Sequence, residues 1–331
     1  MRVTVGEEKA MRRALALAAG VRGTTSPNPW VGAVIVPGGY EGATSPPGGP
    51  HAEAIAVEAA GMRARGATLV CTLEPCSHHG RTPPCTDAIL AAGVRRVVVG
   101  MEDPDPNVRG SGLARLREAG VDVVVGVCAG EVRDQLAPYL KHRETGRPLV
   151  ILKLAVTMDG RTAAPDGTSR WITGEAARDD AHRLRAECDA VVVGAGTVRL
   201  DDPELTVRAV DPPAGRQPLR VVLGKAGPDA RAQPAVELFG EPAEVLAELG
   251  RLGVLQAVVE GGATVAGAFH RAGLVDRYVL YLAPALLGGD DGWPVLAGTG
   301  SATMADAWRG RIVAVQQLGD DVRIDLVPLA R

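Results

Sequence analysis

Two stretches, His51-Ala52-Glu53 and the segment 72–85 with the sequence TLEPCSHHGRTPPC, decide the fold of the first half of this chain. They supply an imidazole and two thiols, on His51, Cys76 and Cys85, and one further carboxylate, on Glu53. A zinc ion held by an imidazole and two thiolates keeps a fourth position open, where a bound water molecule loses a proton near neutral pH. Glu53 is close enough to His51 in sequence to take that proton and deliver it to a leaving amine. The residues therefore predict a zinc-dependent deaminase in which Glu53 is the proton shuttle.

Two other interpretations of the same residues stay open. A closed zinc site that only stabilises the fold would need a fourth ligand, such as His78 or His79, and would leave Glu53 without a function. The second alternative is a disulfide between Cys76 and Cys85. The joint pattern, with a proline directly before Cys76, favours the catalytic interpretation.

The distance between the two cysteines narrows the prediction. Eight residues separate Cys76 from Cys85, whereas a plain nucleobase or nucleoside deaminase has Pro-Cys-x-x-Cys. The segment 72–85 resembles the pyrimidine deaminase of riboflavin biosynthesis, which is commonly fused to a reductase. This resemblance implies that Asn28, in the segment 28–32 (NPWVG), contacts the pyrimidine, although an asparagine between prolines is also a common turn residue. Many family members have Gly-Tyr-His where this chain has Gly42-Ala43-Thr44, which puts one substrate contact in doubt.

Composition excludes several classes of protein. With 331 residues, of which 46% are hydrophobic and 23% charged, the chain can bury two ordinary cores. The net charge of -3 and the 3% of aromatic residues argue against a nucleic-acid partner, so we expect a free, nucleotide-like substrate. The start, MRVTVGEEKAMRR, lacks the apolar stretch of a secretory signal, and no apolar run is long enough to span a membrane. Five cysteines, an odd number, fit a reducing compartment, and we expect a cytoplasmic protein with no membrane contact.

The pattern of apolar residues predicts an α/β fold in both halves. In residues 1–145, helices are expected at 7–19, 52–60, 86–92, 113–119 and 131–142, and strands at 31–36, 67–73, 94–99 and 121–125. This alternation predicts a layered sheet with helices on both faces, and the resemblance implies a cytidine-deaminase-like αβα domain. The polar segment 143–148 contains Gly and Pro and is predicted to link this domain to a second domain at 149–331.

The second domain begins with predicted elements of the same kind. Strands are expected at 149–155, 190–193, 257–259, 312–315 and 322–327, and a helix at 175–187. The turn Glu260-Gly261-Gly262 leads from a strand into a helix, where glycines let a backbone approach phosphate. The same kind of turn also occurs in plain packing, so it is weak evidence by itself.

Further stretches of the second half resemble the reductase of the riboflavin pathway, a relative of dihydrofolate reductase. They are the segments 153–162, 169–173, 196–208 and 283–289. The resemblance implies a dihydrofolate-reductase-like α/β domain that binds NADPH through Ala155, Trp171, Thr197, Asp201, Gly262, Ala263, Thr264, Val265, Ala266, Gly267 and Ala268. It implies substrate positions at Ser169, Arg185, Leu205, Arg208 and Glu260.

Several of these positions have ordinary structural roles as alternatives. A ribose phosphate is well bound by guanidinium groups, which Arg185 and Arg208 supply, yet Arg185 is also a normal solvated helix residue and Asp201 a normal turn residue. The segment 224–242 is shorter than in most relatives and is expected to lack a strand. It contains Lys225, at a position where relatives contact the cofactor, so the preference for NADPH over NADH comes from the resemblance alone.

The resemblance implies two steps of riboflavin biosynthesis, with one Zn²⁺ per chain and NADPH as cofactors. The first is hydrolytic deamination of 2,5-diamino-6-(5-phosphoribosylamino)pyrimidin-4(3H)-one, and the second is reduction of the ribosyl group of 5-amino-6-(5-phosphoribosylamino)uracil to ribityl. It also suggests a homo-oligomer that associates through the reductase domains, where the strands at 312–315 and 322–327 could supply an edge. The alternatives are a zinc deaminase of another nucleobase or nucleoside, a specialised-metabolism paralogue, and a non-enzymatic scaffold.

Overall fold

The computed structural model describes residues 3–80 and 82–329, which form two compact units divided between Gly146 and Arg147. The helices of the first unit are α1 (Val5–Gly20), α2 (Ala52–Ala60), α3 (Cys85–Ala91), α4 (Ser111–Glu118) and α5 (Ala129–Thr145), with a 3-10 helix at Gly61–Ala64. Its strands are β1 (Gly32–Val36), β2 (Tyr40–Ala43), β3 (Thr68–Leu73), β4 (Arg96–Met101) and β5 (Asp122–Val125). Every helix and strand predicted for this half is present.

The strands of the first unit form one sheet in the order β2-β1-β3-β4-β5. Strand β1 is antiparallel to β2 and β3, whereas β3, β4 and β5 are parallel. A Cβ atom on Gly32 would lie 1.9 Å from the carbonyl oxygen of Ala14 in α1, and one on Gly42 would lie 2.1 Å from that of Ala52 in α2. Gly42 pairs with Ala33, the neighbour of Gly32, so these two close contacts are on opposite faces. The predicted arrangement, with helices on both faces, is therefore confirmed.

Two features of the first unit differ from the predictions. Strand β2 was not predicted, because its sequence, YEGA, is short and half polar; it follows a turn in which Gly38 and Gly39 have positive φ angles. Helix α5 continues to Thr145, three residues beyond its predicted end, and stops where Gly146 takes a left-handed conformation with φ 69°. Residues 143–145 are thus helical and do not belong to a linker.

The second unit also consists of helices and strands that alternate along the chain. Its helices are α6 (Glu175–Ala186), α7 (Ala195–Asp201), α8 (Pro242–Arg251) and α9 (Ala263–Arg271), with a 3-10 helix at Pro213–Gly215. Its strands are β6 (Leu149–Thr157), β7 (Arg161–Ala163), β8 (Ala190–Gly194), β9 (Leu219–Leu223), β10 (Val236–Leu238), β11 (Gln256–Val259), β12 (Arg277–Ala283), β13 (Trp293–Pro294), β14 (Gly310–Leu318) and β15 (Asp321–Pro328).

The main sheet of the second unit has the order β10-β9-β8-β11-β6-β12-β15-β14. The first six strands in this order are parallel, and β15 is antiparallel to both of its neighbours, β12 and β14. Side chains alternate along β6, since Val150 and Leu152 pack in a core cluster with Phe269 of α9, whereas Ile151 packs in a second cluster with Leu184 of α6. Helices therefore cover both faces, and the carboxyl ends of β6, β8 and β11 lie at one edge, where sheets of this kind bind ligands.

The segment 224–242, which was predicted to lack a strand, contains one. Strand β10, which is three residues long, pairs in parallel with β9 and adds one strand to the edge of the sheet. A separate two-stranded ribbon joins β7 to β13. Within the described residues, no helix is long and apolar enough to cross a membrane.

Candidate active sites

The predicted zinc ligands come together beyond the carboxyl end of β3. His51 directly precedes α2, Cys76 lies in the loop after β3, and Cys85 is the first residue of α3. Their ligand atoms all lie within 4.8 Å of one another, with His51 Nδ1 3.5 Å from Cys76 Sγ and 3.3 Å from Cys85 Sγ. Tetrahedral zinc with ordinary bond lengths separates neighbouring ligand atoms by about 3.5 Å. The geometry of the three side chains therefore fits a zinc ion.

The alternatives to an open zinc site find no support in this arrangement. His78 and His79, the possible fourth ligands, are exposed, and within the described residues the cluster consists of three side chains. Cys76 and Cys85 are free thiols, so they form no disulfide. An ion held by the three residues would keep a position open for water.

Local structure stabilises the thiolate form of Cys76. Its sulfur accepts a hydrogen bond from the backbone N–H of Cys85 at 3.4 Å, and its carbonyl accepts one from Thr86 N at 3.1 Å. Hydrogen bonds with the Cys85 thiol, with His51 and with this N–H lower the pKa of Cys76 to about 4, against the effect of burial. In the same thiol pair the pKa of Cys85 is raised, chiefly by its hydrogen bond with Cys76. Zinc removes the proton from a coordinating thiol, so both sulfurs can act as ligands.

Glu53 has the protonation behaviour that a proton shuttle needs. It lies in the first turn of α2 and is 3% exposed. Burial, together with the negative charge of Cys76, raises the pKa of Glu53 to about 7, and its carboxyl group contacts the Cys85 thiol. A carboxyl group with a pKa near the working pH can both accept and donate a proton. Glu53 is thus buried beside the metal ligands without being needed as one.

The second unit contains a cavity of about 1040 Å³ at the carboxyl edge of its sheet. Residues that follow β8 and β11 form its walls, together with α7 and the start of α9. Thr197 of α7 accepts a hydrogen bond from the backbone N–H of Gly262 at 3.2 Å, so the glycine turn after β11 is tied to α7. Trp171 is 71% exposed, and the Arg178 guanidinium lies 4.7 Å from its ring centroid. The cavity offers a helix N-terminus and an open aromatic face to a large ligand.

An ion cluster is buried at the base of this cavity. Arg185 binds Glu260 with two nitrogens, at 2.6 Å and 2.9 Å, and donates its third to the carbonyl oxygen of Thr206 at 3.1 Å. Lys153 Nζ lies 3.8 Å from the Glu260 carboxylate. Burial opposes ionisation of Glu260, but Arg185 and then Lys153 outweigh it and lower its pKa to about 2. Burial also lowers the pKa of Lys153.

Comparison with known proteins identifies both units. A family model for the cytidine and deoxycytidylate deaminase zinc-binding region matches residues 5–101, and one for the RibD C-terminal domain matches residues 148–324. The riboflavin biosynthesis protein RibD of Mycobacterium tuberculosis (strain H37Rv) is 46% identical over 336 aligned residues, which cover 97% of each chain. The chain belongs to the RibD family. RibD of Escherichia coli is 40% identical, with 97% of this chain and 99% of that protein covered. The structure of Acinetobacter baumannii RibD, at 37% identity, covers 98% of this chain and 99% of its own, with a TM-score of 0.92.

Membership of the RibD family confirms the predicted fold class and bifunctional activity, a deaminase and a reductase of riboflavin biosynthesis acting on small molecules. Zinc and NADPH are the cofactors of such a pair of domains. The residues present fit both groups, because the first unit supplies three clustered ligands and the second a large cavity with a glycine turn at a helix N-terminus.

The structure brings most of the site residues that were predicted for the second unit to the cavity. Those that line it are Ala155, Ser169, Trp171, Arg185, Thr197, Asp201, Leu205, Arg208, Glu260, Gly262, Ala263, Thr264 and Val265. Ala266, Gly267 and Ala268 do not line it, because α9 begins at Ala263 and carries them away from the turn. Leu205 is 1% exposed, so it adds almost no accessible surface to the cavity.

Two positions in the first unit bear on the predicted substrate contacts. Asn28 is half-buried in a turn that its own backbone N–H closes on Thr25 at 2.8 Å. Thr44, at the position where the family pattern departs, is buried, and its hydroxyl binds the backbone N–H of Val31 at 3.0 Å. Its side chain therefore holds the strand that follows Asn28.

Sequence reasoning missed Glu74, which is buried two residues before Cys76. Its carboxylate accepts backbone hydrogen bonds from Asp103 at 3.2 Å, Gly110 at 3.0 Å, Gly112 at 2.9 Å and Leu113 at 3.3 Å. Glu74 therefore fastens the loop after β4 to the strand that leads to the zinc ligands. An acidic residue at the end of an apolar strand is the only signal of this in the sequence.

Lys153 was the second residue missed. It is part of an apolar strand, β6, in which a lysine is unexpected, and its burial beside Glu260 is a sign of function. It also lies over the ring of Tyr281, with Nζ 5.7 Å from the centroid.

Proposed function

We propose that residues 1–145 deaminate 2,5-diamino-6-(5-phosphoribosylamino)pyrimidin-4(3H)-one and that residues 149–331 reduce the ribosyl group of 5-amino-6-(5-phosphoribosylamino)uracil to ribityl with NADPH. The solved Thermotoga maritima relative, 34% identical with a TM-score of 0.88, is described as a diaminohydroxyphosphoribosylaminopyrimidine deaminase and 5-amino-6-(5-phosphoribosylamino)uracil reductase. The observation that carries the proposal is the buried Glu53 carboxyl beside three clustered ligand side chains. The division between the compact units, after Gly146, supports the domain bounds.

In the deaminase domain, each residue has one task. His51, Cys76 and Cys85 hold zinc, which when bound supplies an activated water molecule. Glu53 accepts the two protons of the attacking water one after the other, and it delivers one to a ring nitrogen of the pyrimidine and the other to the amino group, which leaves as ammonia. Its pKa of about 7 supports this role. Asn28 binds the pyrimidine ring.

In the reductase domain, two sets of residues that line the cavity bind the two ligands. The nicotinamide cofactor contacts Ala155, Trp171, Thr197, Asp201 and the turn that begins at Gly262, and its phosphates meet the N-terminus of α9. The substrate contacts Ser169, Leu205, Arg208 and the Arg185–Glu260 pair. Lys153, a cation fixed beside Glu260, donates a hydrogen bond to the ribosyl oxygen as the hydride arrives.

The test is an assay with two signals on the purified chain, given the diaminopyrimidine ribosyl phosphate, zinc and NADPH. Ammonia release followed by NADPH oxidation is the expected result. Glu53→Gln should abolish both signals with this substrate, yet should still oxidise NADPH when the aminouracil is supplied directly. Ammonia without NADPH oxidation in the wild type would leave a deaminase with a non-catalytic second domain, and no signal at all would point to a different substrate.

We also propose that the protein is a homo-oligomer that pairs through β14. This strand ends the main sheet of the second unit, and its Ile312, Val313 and Val315 are 57%, 46% and 64% exposed. An exposed apolar edge strand is stabilised when another copy covers it. Light scattering of the wild type and of Val313→Lys tests this, since a smaller particle is expected for the variant and an equal mass would contradict the pairing.

We also propose that the protein is located in the cytoplasm. It is supported by the five free cysteines, since thiols stay reduced in that compartment. Fractionation of cells that make the chain at natural levels is the direct measurement, and recovery in a membrane or secreted fraction would contradict it.

A further inference from the structure

One carboxylate at the cavity wall holds two arginines. Glu204 accepts a hydrogen bond from Arg208 Nη1 on its Oε2 atom at 2.6 Å, and its other oxygen binds Arg231 Nη2. Arg208 and Arg231 both line the cavity, and their side chains are 52% and 57% exposed. Two guanidinium groups are thus bound to one carboxylate at a surface that faces the cavity.

These two guanidinium groups have donors to spare. Each guanidinium carries five N–H donors in a planar fork. Among the described residues, Arg231 uses Nη2 alone, and Arg208 uses Nη1 for Glu204 and for a contact with Thr206 Oγ1 at 3.4 Å. Each group can therefore keep its contact with Glu204 and bind a second anion with its remaining nitrogens.

Each guanidinium nitrogen of Arg185, by contrast, already has a partner within the protein. Its nitrogens are committed to Glu260 and to the Thr206 carbonyl, and its side chain is 15% exposed. A phosphate that displaced Glu260 would leave a buried, unpaired carboxylate. The second guanidinium group, which would bind the phosphate together with Arg208, is therefore expected elsewhere in the cavity.

The charge around the cavity is suited to an anion. Its lining contains seven basic side chains, on Lys153, Arg170, Arg178, Arg185, Arg199, Arg208 and Arg231, and four acidic ones, on Asp201, Asp202, Glu204 and Glu260. This excess of positive charge attracts phosphorylated ligands. Glu204 is the acidic group nearest to the arginine pair, and it leaves that pair with a net positive charge.

The backbone fixes the position of this arginine pair. The loop between α7 and β9 contains two non-glycine residues with positive φ, Asp202 at 41° and Leu205 at 57°, a conformation that persists only where contacts enforce it. Asp202 Oδ1 accepts a hydrogen bond from the backbone N–H of Arg231 at 2.9 Å. Gln217 binds both the N–H and the carbonyl of Val207, at 2.7 Å and 3.1 Å. The backbone bond of Arg231 survives any change of its side chain.

We infer that Arg231 is a binding residue for the 5'-phosphate of the reductase substrate, which it holds together with Arg208. This inference rests on the proposed function of the second unit. Arg231 comes from the segment 224–242, whose length departs from that of most relatives, so the segment contributes to substrate recognition. Glu204 keeps the two guanidinium groups together before the phosphate arrives.

The test compares Arg231→Met with Arg251→Met, a matched control whose exposed arginine pairs with Glu248 on α8 and does not line the cavity. For each full-length variant, kcat/KM of reduction is measured on the aminouracil ribosyl phosphate and on its dephosphorylated form. Binding of ribose 5-phosphate to the NADPH-loaded chain is measured by calorimetry. Loss of charge-assisted hydrogen bonds to phosphate should lower kcat/KM and affinity by about tenfold to a hundredfold for the phosphorylated compounds alone. Arg231→Lys should recover part of the loss.

Three results would overturn the inference. Equal losses on the phosphorylated and dephosphorylated substrates would mean that Arg231 only positions the loop, and weaker binding of NADPH in place of ribose 5-phosphate would assign the guanidinium to the cofactor. Unchanged affinity of Arg231→Met for ribose 5-phosphate would also refute it. If the wild type binds ribose 5-phosphate through Arg231 but does not reduce the aminouracil, the proposed function fails while the phosphate site stands.

Discussion

The Arg185–Glu260 pair allows a quantitative prediction for the variant Glu260→Gln. The carboxylate is 8% exposed, is bound twice by Arg185 and lies 3.8 Å from Lys153. Its pKa, lowered from 4.5 to about 2, corresponds to about 3 kcal/mol of preference for the ionised form in the folded state. A neutral amide would leave two buried cations without their counter-charge, and breaking a buried pair costs about 3–5 kcal/mol. We therefore expect the variant to lose about 3 kcal/mol or more of unfolding free energy at pH 7.

The pH dependence has a defined sign. Because the pKa of Glu260 is lower in the folded chain than in the unfolded chain, its stabilisation is fully present above pH 4.5 and is lost as the pH falls toward 2. The difference between wild type and Glu260→Gln should accordingly be largest at neutral pH and shrink below pH 4.5.

The assay is urea unfolding followed by tryptophan fluorescence, which reports mainly on the second unit because Trp171, Trp293 and Trp308 lie there among the four tryptophans of the chain. The matched control is Glu248→Gln, which removes a half-buried partner of the exposed Arg251 and should cost less than about 1 kcal/mol. Equal losses in the two variants would refute the reasoning, since burial would then make no difference.

Three further predictions concern Gly42, Asp103 and Lys153, and each has its own measurement. Gly42→Ala places a Cβ atom 2.1 Å from the carbonyl oxygen of Ala52, so it should displace α2 and lower ammonia release at least tenfold while NADPH oxidation on the aminouracil is kept; full deaminase activity would contradict this. Burial raises the pKa of Asp103 to about 6, so its contribution to stability falls as the pH rises from about 4 to 6, by about 3 kcal/mol; urea unfolding of Asp103→Asn should lack this fall, and parallel curves would refute it. Lys153→Met should lower NADPH oxidation at least a hundredfold without changing ammonia release, and a smaller loss would remove Lys153 from the reaction.

Local patterns in the sequence were enough for the zinc site and for most of the secondary structure of the first unit. An imidazole and two thiols at this spacing, on His51, Cys76 and Cys85, are typical of a zinc site, and the helices and strands repeat their apolar residues with the period of their own geometry. Strand β2 was not predicted because its four residues, one of which is a glycine, show no such repeat of apolar residues. The end of α5 was misplaced because polar residues 143–145 do not show where a helix stops.

Tertiary structure alone decided how charged groups are paired. Nothing near Glu74 in sequence indicates that four backbone N–H groups from residues 103–113 converge on it, and nothing near Arg185 indicates that Glu260, 75 residues away, occupies its guanidinium. In the same way, nothing near Arg231 in sequence indicates that its guanidinium binds Glu204. Periodicity reports which side chains are buried, because burial follows from the local geometry of a helix or strand. The choice of a partner for a charge depends on distances between segments that only the packed sheet brings together.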